Sequence, residues 1–131
     1  MATPLMRVLR PHLGGEEDFA DRVARMRLQG YHLIGAFAPE GELTALAGYR
    51  LQENLVYGRF LYVDDLVTAE SHRGSHWGAR LLRALDRVAR AEACARLVLD
   101  TGLANARAQR FYFREGLYTS SLRFHKPLAA V

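Results

Sequence analysis

Cysteine, lysine and tryptophan each occur once in this 131-residue chain, and no long apolar run interrupts it. With Cys94 alone there can be no internal disulfide and no cysteine-built zinc centre, and thiol poverty of this kind predicts a reducing, cytoplasmic setting. No segment approaches the ~18 consecutive apolar residues of a bilayer span, and residues 1–13 lack the apolar core of a secretory leader. Neither a membrane nor an export route is therefore expected. Internal repeats, low-complexity tracts and breaks in composition are also missing, so the sequence predicts one domain over residues 1–131, long enough to bury its own core.

Half of the residues are apolar and about a quarter are charged, the usage of a soluble globular domain. The formal charge of +4 comes from seventeen arginines and Lys126, spread over the whole length. That distribution suits a phosphate-bearing small ligand. Without interleaved aromatic and basic residues it does not predict nucleic-acid binding. The five histidines, His12, His32, His72, His76 and His125, lack the paired spacing of metal ligands, so no metal is expected. Neither Ser71 nor Ser75 sits in the G-x-S-x-G frame of a hydrolase nucleophile. Cys94, among alanines at the tail of a helix, reads as packing and not as a nucleophile.

Hydrophobic spacing and turn residues divide the chain into elements. Glu16, Glu17 and Asp18 open a helix whose stripe is Phe19, Val23 and Met26, and Gly30 lies just past its end. A hairpin follows, with strands near 31–38 and 43–51 around the turn Pro39-Glu40-Gly41-Glu42. Residues 59–68 form a long third strand rich in Phe, Leu, Tyr and Val. From Gly78 to Ala93, Leu81, Leu82, Leu85, Val88 and Ala89 face one way and Arg83, Arg87 and Arg90 the other, the pattern of an amphipathic helix. A short buried strand at 96–100 precedes a helix begun by Asn105 and ended by Gly116. Residues 117–128 are expected to close the sheet as one or two antiparallel strands. The alternation of strand and helix requires at least one parallel crossover, hence an α+β (α/β three-layer) fold with a mixed sheet flanked by helices.

The chemistry concentrates where the third strand runs into the second amphipathic helix. A helix start leaves several main-chain N–H groups unpaired at the positive end of the dipole, and small residues let an anion approach them. Arg73-Gly74-Ser75-His76-Trp77-Gly78 occupies this junction. It is neither a nucleoside-triphosphate loop, which would end in Gly-Lys-Ser/Thr, nor the dinucleotide G-x-G-x-x-G fingerprint.

Taken together, Y-V-D-D-L-V-T-A-E-S-H-R-G-S-H-W-G-A-R-L-L (62–82) and N-A-R-A-Q-R-F-Y-F-R-E-G-L (105–117) resemble the GNAT superfamily of N-acetyltransferases. The family's pyrophosphate loop reads Q/R-x-x-G-x-G/A and its later helix N-x-x-A-x-x-F-Y-x-x-x-G-F. Asn105, Ala108, Phe111, Tyr112 and Gly116 fall in register, with Leu117 in the last place. His76 departs from the pattern, standing where the loop's first glycine usually is, and a left-handed backbone there would be strained.

The resemblance implies a splayed, GNAT-like acyl-CoA N-acyltransferase sheet and an acetyl group carried from acetyl-CoA to an amine by direct attack. It implies that Leu66, Val67 and Thr68 meet the pantetheine arm, that Arg73, Gly74, Ser75, His76, Trp77, Gly78 and Ala79 line the pyrophosphate loop, and that Asn105 and Ala108 contact the arm from the next helix. Tyr112 matches the family's general acid. Asp64 stands at its strand carboxylate, where an aspartate favours a water relay, with Asp65 in reserve because a strand bulge would exchange their faces. A purely structural pairing of both acids with Arg50 or Arg59 is the competing expectation.

The resemblance further implies a small-molecule or peptide amine as acceptor, whose identity the sequence does not give, bordered by Tyr49, Arg50, Glu53, Tyr57 and Tyr62 if strand position is the guide. A single clear N-terminal helix, where the family often has two, suggests an open acceptor site or one completed in a homodimer. The alternative to an enzyme is an acyl-CoA-binding or regulatory module that has lost turnover.

Overall fold

A computed structural model describes residues 2–10, 14–69, 72–74 and 76–129, so His12, Ser71 and the loop residue Ser75 lie outside the described residues. The chain divides into two compact units, Met1–Leu99 and Asp100–Val131.

The first unit holds α1 (Ala2–Leu9), α2 (Glu16–Arg27), β1 (Tyr31–Phe37), β2 (Leu43–Asn54), β3 (Gly58–Thr68), α3 (Trp77–Ala91) and β4 (Arg96–Leu99). The strands form one mixed sheet in the order β1-β2-β3-β4, antiparallel at the first two pairings and parallel at the third. The parallel pair is the crossover that the alternation of elements requires, and α3 makes it. Acidic Glu16, Glu17 and Asp18 sit at the positive end of α2. The Gly14 N–H donates to Asp18 and Arg22 lies beside it, which together hold the Asp18 carboxyl below its usual range.

Helix α1 is an addition to the expected order, so that two helices precede the sheet where the sequence pattern predicts one. Its first turn carries Pro4, tolerated because the missing N–H would have had no partner there. Leu5 and Met6 are buried against Leu46 of β2 and Val67 of β3, with Phe19 and Leu33 beside them. Eight residues cannot hold a helix alone in water, so this sheet contact is what stabilises α1. The stretch 44–49 of β2 is buried without interruption, as a strand covered on both faces must be. Along α3, Ala79, Leu81, Leu82, Leu85 and Ala89 are buried while Arg83, Arg87 and Arg90 are exposed, which is the predicted division.

The second unit contains α4 (Ala106–Arg114). The Asn105 side chain caps it, accepting from the Ala108 N–H at 3.1 Å, and Gly116 at φ 94° ends it. An Arg123–Asp100 ion pair of 3.1 Å ties the two ends of the unit together. No strand occurs among the described residues after β4, so the closing strands expected at 117–128 are absent. The reason is physical: this unit offers no strand for the segment to pair with, and Tyr118, Leu122, Phe124 and Leu128 stay exposed.

Leu85 is fully buried at the centre of the α3 face. Replacing it with alanine is expected to cost about 2–5 kcal/mol, read as a lower urea midpoint at unchanged slope, whereas Arg87→Ala should move the midpoint little.

Candidate active site

Opposite β3, the register of β2 slips between Gly48 and Tyr49: Gly48 faces Asp65, Tyr49 faces Val63, and Asp64 is the extra residue of a bulge. In a regular strand the two carboxylates would point to opposite faces. Here both reach the same cross-strand pair, Tyr31 and Arg50, which face each other in the β1–β2 register. Arg50 Nε donates to Asp64 Oδ2 at 3.1 Å and the Tyr31 hydroxyl donates to Asp65 Oδ2 at 2.6 Å. Arg10, just past the end of α1, completes the cluster. Its Nε donates to Asp65 Oδ1 at 3.0 Å and its Nη2 to the Asp64 carbonyl at 2.8 Å.

The two acids differ in what remains unbonded. Both Asp65 oxygens are engaged and its side chain is 10% exposed. Asp64 keeps one buried oxygen, Oδ1, with no hydrogen-bond donor among the described residues. Burial pushes the Asp64 carboxyl above its ordinary range; the Arg50 guanidinium opposes the rise and the Asp65 charge adds to it. Burial likewise raises the Tyr31 hydroxyl, reinforced by its bond to Asp65, so Tyr31 stays a donor. The structural pairing expected for Asp64 is thus present with Arg50. Arg59 turns elsewhere, its Nε donating to the Glu92 carbonyl at 2.7 Å.

Beyond the bulge, no strand among the described residues pairs with the β4-side edge of β3. Its pairing with β4 ends at Val63–Leu99. The Ala69 N–H donates to the Thr44 carbonyl, so main-chain groups at 65, 67 and 69 face β2 and those of Leu66 and Thr68 face the side β4 has left. Val67 puts its side chain into the α1 contact and has only main chain to offer. The strand then leads to the loop. Gly74 (φ 87°) and His76 (φ 64°) are both left-handed, and α3 begins at Trp77 with no acidic residue in its first turn and no side-chain cap from His76. The first helical bond here is Arg80 N–H to the His76 carbonyl, at 3.0 Å. The N–H groups of Trp77, Gly78 and Ala79 precede it and point out of the helix start, a cradle for an anion.

The loop is braced from outside. His72 meets Glu42 of the β1–β2 turn at 3.1 Å and the Trp77 ring edge-on at 6.5 Å, while Arg80 lies over Trp77 at 4.8 Å. In the second unit, Tyr112 sits half-buried on α4 with its ring 5.3 Å from Phe111, and burial raises its hydroxyl above the ordinary tyrosine range. Asn105 and Ala108 are bonded to each other as cap and first turn.

Of the residues suggested for an acceptor border, Arg50 and Tyr62 share the face of the two acids. Tyr49 is on the opposite face, stacked on His32 at 5.2 Å; Tyr57 packs at the hairpin end against Phe60 and Arg96, and Glu53 is exposed there. Sequence reasoning missed Arg10 and Tyr31. One signal for them was present: Gly48, alone inside an apolar strand, is the mark of a bulge or a close approach, and a Cβ there would overlap the Tyr31 hydroxyl.

The profile of the Acetyltransferase (GNAT) family matches residues 4–116. A search of curated proteins finds no match. Among solved structures, an aminoglycoside N-acetyltransferase, AAC(6')-Iy, crystallised with CoA is similar at a TM-score of 0.81 and 18% identity, over 96% of this chain and 86% of that one. A protein of Agrobacterium tumefaciens str. C58 assigned as an acetyltransferase gives 0.80 and 24%, over 95% and 89%. Glucosamine-6-phosphate N-acetyltransferase of Arabidopsis thaliana gives 0.70 and 19%, over 88% and 80%. The mixed sheet flanked by helices is therefore the GNAT fold.

A Cβ at Gly74 would meet nothing within 4 Å, so Gly74→Ala isolates the backbone term. A loss of about 1–2 kcal/mol is expected. His76→Gly removes left-handed strain against a smaller gain in unfolded-chain freedom, and should stabilise by about 0.5–1 kcal/mol. Thermal melts of the two variants should move in opposite directions.

Proposed function

This chain belongs to the Acetyltransferase (GNAT) family, and on that premise we propose that it is an acetyl-CoA-dependent N-acetyltransferase acting on a primary amine by direct attack. The observation that carries the reading is Asp64 Oδ1, a buried carboxylate oxygen at a strand bulge that no donor among the described residues reaches. Buried polar atoms ordinarily find partners, and in this reading the amine of the acceptor, directly or through water, supplies the one Oδ1 lacks. A free alkyl amine with a pKa near ~10.4 is almost wholly protonated at neutral pH, so a nearby acceptor of its proton is required before it can attack.

The remaining groups divide the work. The Trp77, Gly78 and Ala79 N–H groups hold the diphosphate of the donor, with Gly74 and His76 shaping the turn and Arg73 at its entrance. Leu66 and Thr68 bond the pantetheine arm along the open edge of β3, and the Asn105 amide meets it from α4. As the C–N bond forms and the C–S bond breaks, Asp64 takes the amine proton, directly or through water, and Tyr112 gives a proton to the departing thiolate. Support for the donor comes from AAC(6')-Iy, crystallised with CoA and with a CoA–acetylneamine analogue. The same relative supports a small-molecule amine as acceptor, and the lone Cys94 supports a reducing, cytoplasmic setting for the reaction.

The left-handed strain at His76 favours a second reading, an acyl-CoA-binding module without turnover. Release of free thiol from acetyl-CoA with a panel of amines separates the two. Turnover on any acceptor supports the enzyme, and binding with no thiol from any of them supports the module.

In the enzyme, Asp64→Asn should lower kcat about 10²–10⁴-fold while cofactor affinity by calorimetry is kept. Tyr112→Phe should lower kcat about 10²-fold. The pH profile follows from the two shifts. A base with a raised pKa is lost as pH falls, so the acid limb should lie above the ordinary carboxylate range. An acid with a raised pKa stays protonated longer, so the alkaline limb should lie above the usual tyrosine value.

A further inference from the structure

Asp65 is the better-bonded carboxylate, and the groups that bond it also surround Asp64. Arg10 spans the bulge, one nitrogen on the Asp65 side chain and another on the Asp64 carbonyl. Tyr31, 3% exposed, donates to Asp65 from a position directly over Gly48, the residue opposite Asp65 in the register. The Tyr31 ring in turn lies 5.6 Å beneath the Arg50 guanidinium that holds Asp64 Oδ2. Three of the four carboxylate oxygens are thereby occupied, and so is the bulge carbonyl. Among the described residues no donor reaches Asp64 Oδ1.

From this bonding we infer that Tyr31 and Arg10 are positioning residues, which act through Asp65 to hold the bulge and so fix which oxygen of Asp64 is left for the proton of the acceptor amine. The inference rests on the proton-acceptor reading of Asp64. Its physical basis is competition for Arg50. Four groups lie about Asp64: Arg50 from β2, Arg10 from the residue after α1, Tyr31 from β1 and Asp65 from its own strand. If Tyr31 loses its hydroxyl, a buried Asp65 carboxylate keeps one donor and turns toward the other cation of the cluster, Arg50, which lies over the Tyr31 ring. Asp64 would then share its guanidinium, its charge would be less compensated, and Oδ1 would no longer be the one free oxygen. A displacement of this kind near the reacting atoms is costly even when the fold is intact.

Tyr31→Phe tests this, because it keeps the ring over Gly48 and removes only the donor. The Asp64 carboxyl is titrated by carbon NMR in wild type and variant, alongside the pH dependence of kcat. The midpoint of Asp64 should rise by about half a unit or more, the acid limb of kcat should move with it, and kcat at neutral pH should fall about tenfold at unchanged KM for acetyl-CoA. Arg10→Lys, which keeps a cation on Asp65 but cannot reach both residues of the bulge, should give a smaller loss in the same direction, and it serves as the test if Tyr31→Phe does not fold. A lower melting temperature with the Asp64 midpoint unmoved would mean that the cluster is only structural, and the inference fails. The Asp64→Asn variant keeps the underlying reading separate. Full activity there, with the midpoint still moved in Tyr31→Phe, would overturn the proton-acceptor role while leaving the bonding arrangement in place.

Discussion

Two adjacent carboxylates inside an apolar strand set the constraint to which the rest of this sheet conforms. An unpaired buried carboxylate costs several kcal/mol, and a regular strand would send the two to opposite faces, each needing its own partners. The bulge in β3 turns Asp64 and Asp65 toward one face, where Arg50, Tyr31 and Arg10 can serve both. Much else follows from this choice. Position 48 has to lack a side chain, because the Tyr31 hydroxyl occupies that space. The chain leaving α1 has to run past the bulge, because Arg10 is the cation that spans it.

The same strand meets a second demand on its other edge. β4 stays beside it only as far as Val63, and past that point the main-chain groups of Leu66 and Thr68 are turned away from β2. Backbone groups need partners wherever water is excluded, so a strand left open beside a helix start is suited to an extended ligand with an anionic end. Arg80, Trp77, His72 and Glu42 brace the loop from outside, in a chain of contacts running from α3 to the β1–β2 turn. His76 departs from the family's glycine and still adopts the left-handed backbone, a conformation that histidine tolerates better than most residues.

Legibility in the sequence followed the range of the forces involved. The amphipathic stripe of α3, the hairpin of β1 and β2, and the Asn105 cap with Gly116 as stop are set by contacts within a few residues, and each was visible as a pattern. Helix α1 was not, because its eight residues carry no pattern strong enough by themselves and rely on Leu46 and Val67, some forty and sixty residues later. The tail at 117–128 shows the opposite failure. It was expected to close the sheet as strands, but a strand exists only with a partner, and among the described residues the unit that contains it has none.

For the carboxylates, the sequence alone determined that two acids sit side by side in an apolar strand and that a bulge could bring them to one face. Which cations answer them, and which oxygen no donor among the described residues reaches, only the tertiary structure decided. Arg10, Tyr31 and Arg50 lie between fourteen and fifty-five residues from the acids they bond. Their meeting is fixed by strand register and by a helix packed across the sheet, and local residue preferences carry no record of either.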